Sequence, residues 1–240
     1  MKILEHYRAL IKNSADVFET LCSDKDACGA FVASHNYILE FDALRTAIAE
    51  RPEVVVLDSA AKEYQFALFA LATGQYRHAF GGLRLSFELR LATLQFSAHE
   101  IDYRQWASDS KDINWNSLKD AQNGVFSINF IRAFNPAFAE HGKQYSAIAE
   151  AVYRECSEFV HGNAGTHAML PSEINFQNEA SASWHQKASI MRLAFTFAYA
   201  ARYINYIDKK STDLIEPILI DVLGNLQPIQ ALFSQPAKVK

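Results

Sequence analysis

Apolar residues recur at intervals of three and four along most of the chain, the period of helices that pack by one face. The pattern predicts an opening helix over about 2–22 and a second over 34–49, ahead of Arg51-Pro52. Pro52 suits the first turn of a third helix, which runs to Thr73 and stops at Gly74. Within it, Val54-Val55-Val56 would also suit a short strand, but Ala60, Ala61, Tyr64, Ala67 and Leu68 restore a helical stripe. Residues 75–97 form the most helix-like segment, with Ala79, Leu83, Phe87, Leu91 and Leu94 on one face. Gly81-Gly82 inside it should cost about 1 kcal/mol each relative to alanine, which is bearable where a neighbouring backbone or a ligand must come close.

Two short helical pieces follow, near 116–123 and 127–134, then a long helix over 142–161 stopped by Gly162-Asn163. Residues 164–181 lack a period and contain Pro171, so they read as an irregular excursion. Helix resumes over 184–207 and again over 213–233. No repeat or linker divides the chain, so the expectation is a single all-α domain over 1–240.

Composition narrows the setting. Half of the 240 residues are hydrophobic and 21% are charged, enough apolar material for a sizeable core. The longest apolar stretches are 66–72 and 193–201. Both fall well short of the roughly 20 residues that a membrane helix needs. Glu5, His6 and Arg8 interrupt any secretory leader. Three cysteines, Cys22, Cys28 and Cys156, leave an odd thiol under any disulfide scheme, and a cytoplasmic location is expected. A net charge of −4 and a pI near 6.1 argue against nucleic-acid binding through a broadly basic surface. They leave room for a small local anion site.

Candidate chemistry gathers on the 142–161 helix. Arg154 and His161 are seven residues apart, hence nearly in line two turns from one another, with Ser157 between them. Tyr145, Ala149, Val152, Cys156 and Phe159 make the apolar side, which leaves Arg154, Ser157 and His161 on a polar one. A guanidinium can fork onto phosphate oxygens and an imidazole can move a proton, so the pair suits a phosphodiester. A plainer reading competes: Arg154 and Glu158 form an ordinary i,i+4 pair, and His161 answers the negative end of the helix dipole. On the 75–97 helix, Arg77, Gly81, Arg84 and Glu88 share a side. There Arg84–Glu88 reads as a structural ion pair able to orient its neighbours. Glu158-x-x-His161 is also half of a di-iron motif, but the chain has no second copy and no paired histidine spacing, so no metal is expected.

Together these segments resemble the HEPN superfamily of helical domains. One shared pattern is Gly-x-Tyr-x-x-Ala-x-x-x-Leu-Arg-x-x-x-Glu, met here by Gly74, Tyr76, Ala79, Leu83-Arg84 and Glu88. The other is an arginine and a histidine separated by four to six residues late in a long helix, here Arg154-x6-His161. Trp106, Asp112-Ile113, Trp115 and Leu118 also look like members, and the resemblance spans about 53–207. It implies a HEPN-like up-and-down helical bundle with additional N- and C-terminal helices. It further implies a homodimeric, metal-independent endoribonuclease of a toxin or phage-defence system, with two Arg–His motifs facing each other and no cofactor. Carried over residue by residue, Arg154 would bind and polarise the RNA phosphate, and His161 would move a proton during 2′-hydroxyl attack. Ser157 and Tyr153 would position RNA, with Arg84 and Glu88 in support. An antitoxin or defence-system partner would accompany such a protein. Other HEPN domains are non-catalytic modules that bind nucleotide, nucleic acid or a protein partner, and this is the alternative reading. The chain departs from active members at Glu155, where they usually carry a neutral residue. A carboxylate there would repel a phosphate if it pointed inward.

Overall fold

A computed structural model describes residues 2–233, apart from the side chains of residues 167–169. Twelve α-helices follow one another among the described residues, with no strand. They are α1 (Lys2–Ser23), α2 (Lys25–Ala47), α3 (Val54–Ala72), α4 (Tyr76–Phe96), α5 (Glu100–Ala107) and α6 (Trp115–Leu118). Then come α7 (Ile128–Phe134), α8 (Gly142–His161), α9 (Ala164–Met169), α10 (Asn178–Tyr203), α11 (Lys209–Leu223) and α12 (Gln227–Phe233). Val54-Val55-Val56 opens α3 rather than forming a strand. No helix among the described residues is long and apolar enough to cross a membrane.

Local chemistry explains many of the boundaries. Asp24 caps α2 by accepting from the backbone N–H groups of Asp26 and Ala27 at 3.0 and 2.9 Å. Ser127 and Asp208 cap α7 and α11 in the same way. Gly74, at φ 75°, turns the chain from α3 into α4. Several segments differ from the sequence expectation: α10 starts at 178, inside the predicted irregular excursion, and the predicted last helix over 213–233 is two, α11 and α12. The second helix begins nine residues early at the Asp24 cap (25 against 34), α5 forms where the periodicity predicts none, and the excursion after Gly162 contains the short α9.

Five helices make the central bundle, and cross-contacts give their directions. Arg45 meets Asp58, whereas Tyr64 reaches back to Ser34, so α2 and α3 run antiparallel. A tight turn makes α3 and α4 antiparallel as well. On α8, Phe159 lies beside Arg77 and Tyr153 beside Arg84, so α8 descends where α4 ascends. Along α10, Trp184 donates to the carbonyl of Ala79 at 3.0 Å and Arg202 reaches Ser97, so α10 runs parallel to α4. Trp184, Tyr76, Phe80, Phe87, Phe195, Phe197, Tyr199 and Tyr203 are enclosed between these helices. The aromatic residues of α10 are therefore core, whereas Tyr206, just beyond it, is exposed.

The two glycines of α4 have different neighbours. A Cβ on Gly82 would stand 3.0 Å from that of Ala67, so this glycine sets how closely α3 and α4 approach. A Cβ on Gly81 would meet only Val160 Cγ2, at an ordinary 3.7 Å.

Candidate functional site on the outer face of helix 8

Both ends of α8 are fixed, and with them the direction of every side chain it carries. At its start, a Cβ on Gly142 would fall 2.6 Å from Ile131 Cδ1 and 2.7 Å from the carbonyl oxygen of Phe126, so only glycine fits against α7. At its end, Gly162 takes the left-handed conformation, φ 69° and ψ 37°, of a helix stop. Three ring stacks hold the buried side. Tyr145 lies on Phe197 at 3.8 Å, Phe159 on Phe80 at 3.8 Å, and Tyr153 on Trp115 at 3.6 Å. Cys156, in the same row, is fully buried with its thiol pushed up to about 12 by desolvation, so it packs rather than reacts.

Arg154, Ser157 and His161 all lie off this buried row. The Arg154 side chain is 84% exposed and meets Glu158 only at 3.9 Å. Such a solvated contact contributes a few tenths of a kcal/mol. Ser157 is half-buried and donates to the carbonyl of Tyr153 at 2.9 Å. His161 is exposed in the last turn. Two of the carbonyls it could answer there have other donors. Arg77 Nη1 donates to that of Phe159, and that of Glu158 accepts from Gly162, from Asn163 at 3.3 Å and from Thr166 Oγ1 at 3.3 Å. These two carbonyls are thus satisfied without the imidazole.

Behind this face, Tyr153 joins α8 to α4. Arg84 Nη2 donates to the Tyr153 hydroxyl, which donates to Glu88 Oε1 at 3.2 Å, while Arg84 and Glu88 approach to 3.5 Å. The guanidinium carbon also lies 4.6 Å from the Tyr153 ring centroid, within the range of a cation–π contact. Burial raises the Glu88 carboxyl above its ordinary value against the opposing pull of Arg84 and the Tyr153 hydroxyl. Burial, with the Glu88 charge adding to it, pushes Tyr153 up to about 12, which keeps its proton for that bond. Arg84, Glu88 and Tyr153 form one supporting unit, and Arg154 follows Tyr153 directly in the chain.

Glu155 is held by α10. Its carboxylate pairs with Lys187 Nζ at 2.6 Å, and the Lys187 side chain is only 11% exposed. The charge that would repel a phosphate is thereby matched by a cation on the neighbouring helix.

Beside the exposed row lies an open cleft of about 480 Å³ between α6 and α8, lined by Trp115, Lys119, Glu150, Tyr153, Arg154 and Ser157 among others. Lys119 and Glu150 are 3.5 Å apart across it. His161 lies one turn beyond Ser157, about 6 Å further along the axis at the helical rise. It stands outside the cleft lining. The cleft therefore gathers Arg154, Ser157 and Tyr153, and leaves His161 at its edge. Lys119 and Glu150 are cleft residues that the sequence pattern does not single out. Trp115 and Lys119 are four apart, on one face of a short helical turn, and that spacing is the available signal. Among the described residues, no three His, Cys, Asp or Glu side chains converge as a metal site would require. No protein-family model, curated protein or solved structure matches the chain.

Proposed function

We propose that this chain is a HEPN-like, metal-independent endoribonuclease whose site is completed when the outer faces of α8 from two copies come together. One observation carries the reading: Arg154, Ser157 and His161 share a solvent-facing row, while Tyr145, Ala149, Val152, Cys156 and Phe159 are buried on the other side of the helix. The bundle directions and the Arg84–Tyr153–Glu88 unit behind the row support it. So does the Glu155–Lys187 pair, which neutralises the one residue that departs from the family pattern. In this scheme the Arg154 guanidinium binds the non-bridging oxygens of the scissile phosphate. His161 takes the proton of the 2′-hydroxyl as that oxygen attacks phosphorus. The bond to the 5′-oxygen breaks, and that oxygen leaves with a proton from the partner copy's imidazole, giving a 2′,3′-cyclic phosphate and a 5′-hydroxyl.

A second reading, a non-catalytic HEPN-like module for nucleotide, nucleic acid or a protein partner, is favoured by one fact. Among the described residues, no hydrogen bond orients the His161 ring, whereas a general base is normally held in place. Incubating the purified protein with mixed RNAs in chelator separates the two. The enzyme reading expects fragments ending in 2′,3′-cyclic phosphate, and a loss of roughly 100-fold or more for Arg154→Ala and for His161→Ala. Both variants should fold normally, since neither side chain is part of the core. Absence of cleavage, or equal cleavage by both variants, would refute the enzyme. RNA affinity lowered by Arg154→Ala without any cleavage would establish the binding module.

A further inference from the structure

Gly81 is the glycine of α4 that packing within the chain does not explain. It sits inside the helix, where it costs about 1 kcal/mol relative to alanine. An added Cβ would meet only Val160 Cγ2, at 3.7 Å, whereas Gly82 is required by Ala67. The surface around Gly81 is apolar. Leu85, one turn further along α4, is 40% exposed, and Val160 of α8 is 46% exposed. Phe66, next to Ala67 on α3, is 67% exposed. The polar row of Arg154, Ser157 and His161 borders Val160 along α8. An apolar centre with a polar border is the anatomy of a protein interface, and helix backbone without a side chain lets another chain come close.

Contacts between α4 and α8 fix which levels of the two antiparallel helices correspond. Phe80 stacks on Phe159 at 3.8 Å, Gly81 lies beside Val160, and Glu88 accepts from Tyr153 at 3.2 Å. The level midway between Arg154 and His161 on α8 is therefore that of Leu83 on α4, and Leu83 is itself midway between Gly81 and Leu85. Consider a two-fold axis at this level, lying in the plane of the face and perpendicular to both helices. It sets Arg154 of each copy opposite the partner's His161. The same axis sets Leu85 of each copy opposite the partner's Gly81, a projecting side chain over a position that has none. Such a patch is complementary to itself, as a two-fold interface requires. We propose, on the reading that two copies meet by the outer faces of α8, that α4 supplies the rest of that contact. Leu85 packs over the partner's Gly81, with Val160 and Phe66 around it, and this register fixes where the two Arg–His rows face each other. RNA suits this part of the face less, because Leu85, Val160 and Phe66 give a phosphate backbone nothing to bind.

Sedimentation velocity on the full chain over about 1–100 µM, a span that brackets a micromolar Kd, tests the interface. The wild type should pass from monomer to dimer. Leu85→Glu places a charge over the glycine and Gly81→Leu fills the hollow, so each should raise Kd by roughly 10-fold or more. Circular dichroism should stay unchanged, since both positions face outward. In the double variant Gly81→Leu/Leu85→Ala the projection and the hollow change places, and dimerisation should return; a misfolded Gly81→Leu chain would not be rescued in this way. In dilute monomer Gly81→Ala keeps its gain in helix propensity, because the use of the glycine shows only in the dimer. A wild type that stays monomeric throughout, or a dimer that neither single variant weakens, would overturn the interface. Loss of RNA affinity in Leu85→Glu with no change in mass would overturn it too, since the face would then meet RNA. Cleavage is read separately. A dimer that Leu85→Glu dissolves but that cuts no RNA keeps the interface and refutes the enzyme, whereas cleavage by a wild type that never dimerises does the reverse.

Discussion

His185 shows how one buried side chain sets the acid limit of the fold. Its Nδ1 lies 2.7 Å from Ser34 Oγ, both residues are buried, and Nε2 has no hydrogen-bond partner. A doubly protonated ring would hold its charge buried beside Phe31 and Trp184, so burial lowers the imidazole to about 4. The unfolded chain takes up this proton near pH 6.5 and the folded chain only near 4. Its contribution to stability is therefore complete above pH 6.5 and is lost as pH falls from there towards 4. The loss amounts to about 3 kcal/mol over that window. Urea unfolding at pH 6.5, 5 and 4 should show the wild type losing that much more than His185→Gln, and parallel pH profiles would remove the assignment. Nothing in the sequence pattern signals this. His185 reads as one of several scattered histidines, and its consequence depends on Ser34, 151 residues away. Arg154 and His161 are legible by contrast, because their relation is fixed by spacing within one helix.

At the scale of elements, legibility follows the same division. Helices with a long apolar period, such as α4, α8 and α10, can be placed from the sequence to within a few residues, except where a turn of weak period leads in. The first third of α2 carries Gly29 and little apolar repeat, and only the Asp24 cap marks its start. The α5 helix is eight residues long with no buried residue, so no apolar face announces it. The paired glycines of α4 are visible in the sequence, but not which of them matters. Gly82→Ala adds a methyl 3.0 Å from the Ala67 Cβ, which is fixed to its own backbone, so α3 and α4 must separate. The gain in helix propensity, about 1 kcal/mol, is offset by that overpacking, which costs roughly 1–3 kcal/mol. Gly81→Ala meets only an ordinary contact with Val160 and keeps its gain. Denaturant unfolding should place Gly81→Ala above the wild type by about 0.5–1 kcal/mol and Gly82→Ala at or below it. The reverse order would mean that the α4–α8 contact, rather than α3–α4, is the tight one.

Across the whole molecule, the periodic pattern marks α1 as amphipathic like its neighbours, yet the bundle uses little of it. Only Val17 and Leu21 are buried, whereas Ile3, Leu4, Tyr7 and Ile11 are exposed. A repeat every three or four residues states that a helix has an apolar face. It does not state how far the rest of the chain extends to cover that face, and here the coverage reaches only the C-terminal half of α1. Residues 2–9 are all exposed. Deleting them should therefore cost less than about 1 kcal/mol, a fall in Tm below roughly 4 °C. Circular dichroism would lose about two turns of helix at the same time. Leu21→Ala, at the buried end of the same helix, should instead cost about 2–5 kcal/mol through the cavity it opens. Calorimetry on the truncated chain and on Leu21→Ala makes the comparison within one helix. If the truncation cost as much as the core substitution, the exposed stripe would have to be covered in solution, and the boundary of the folded unit would begin at Lys2 rather than near Val17.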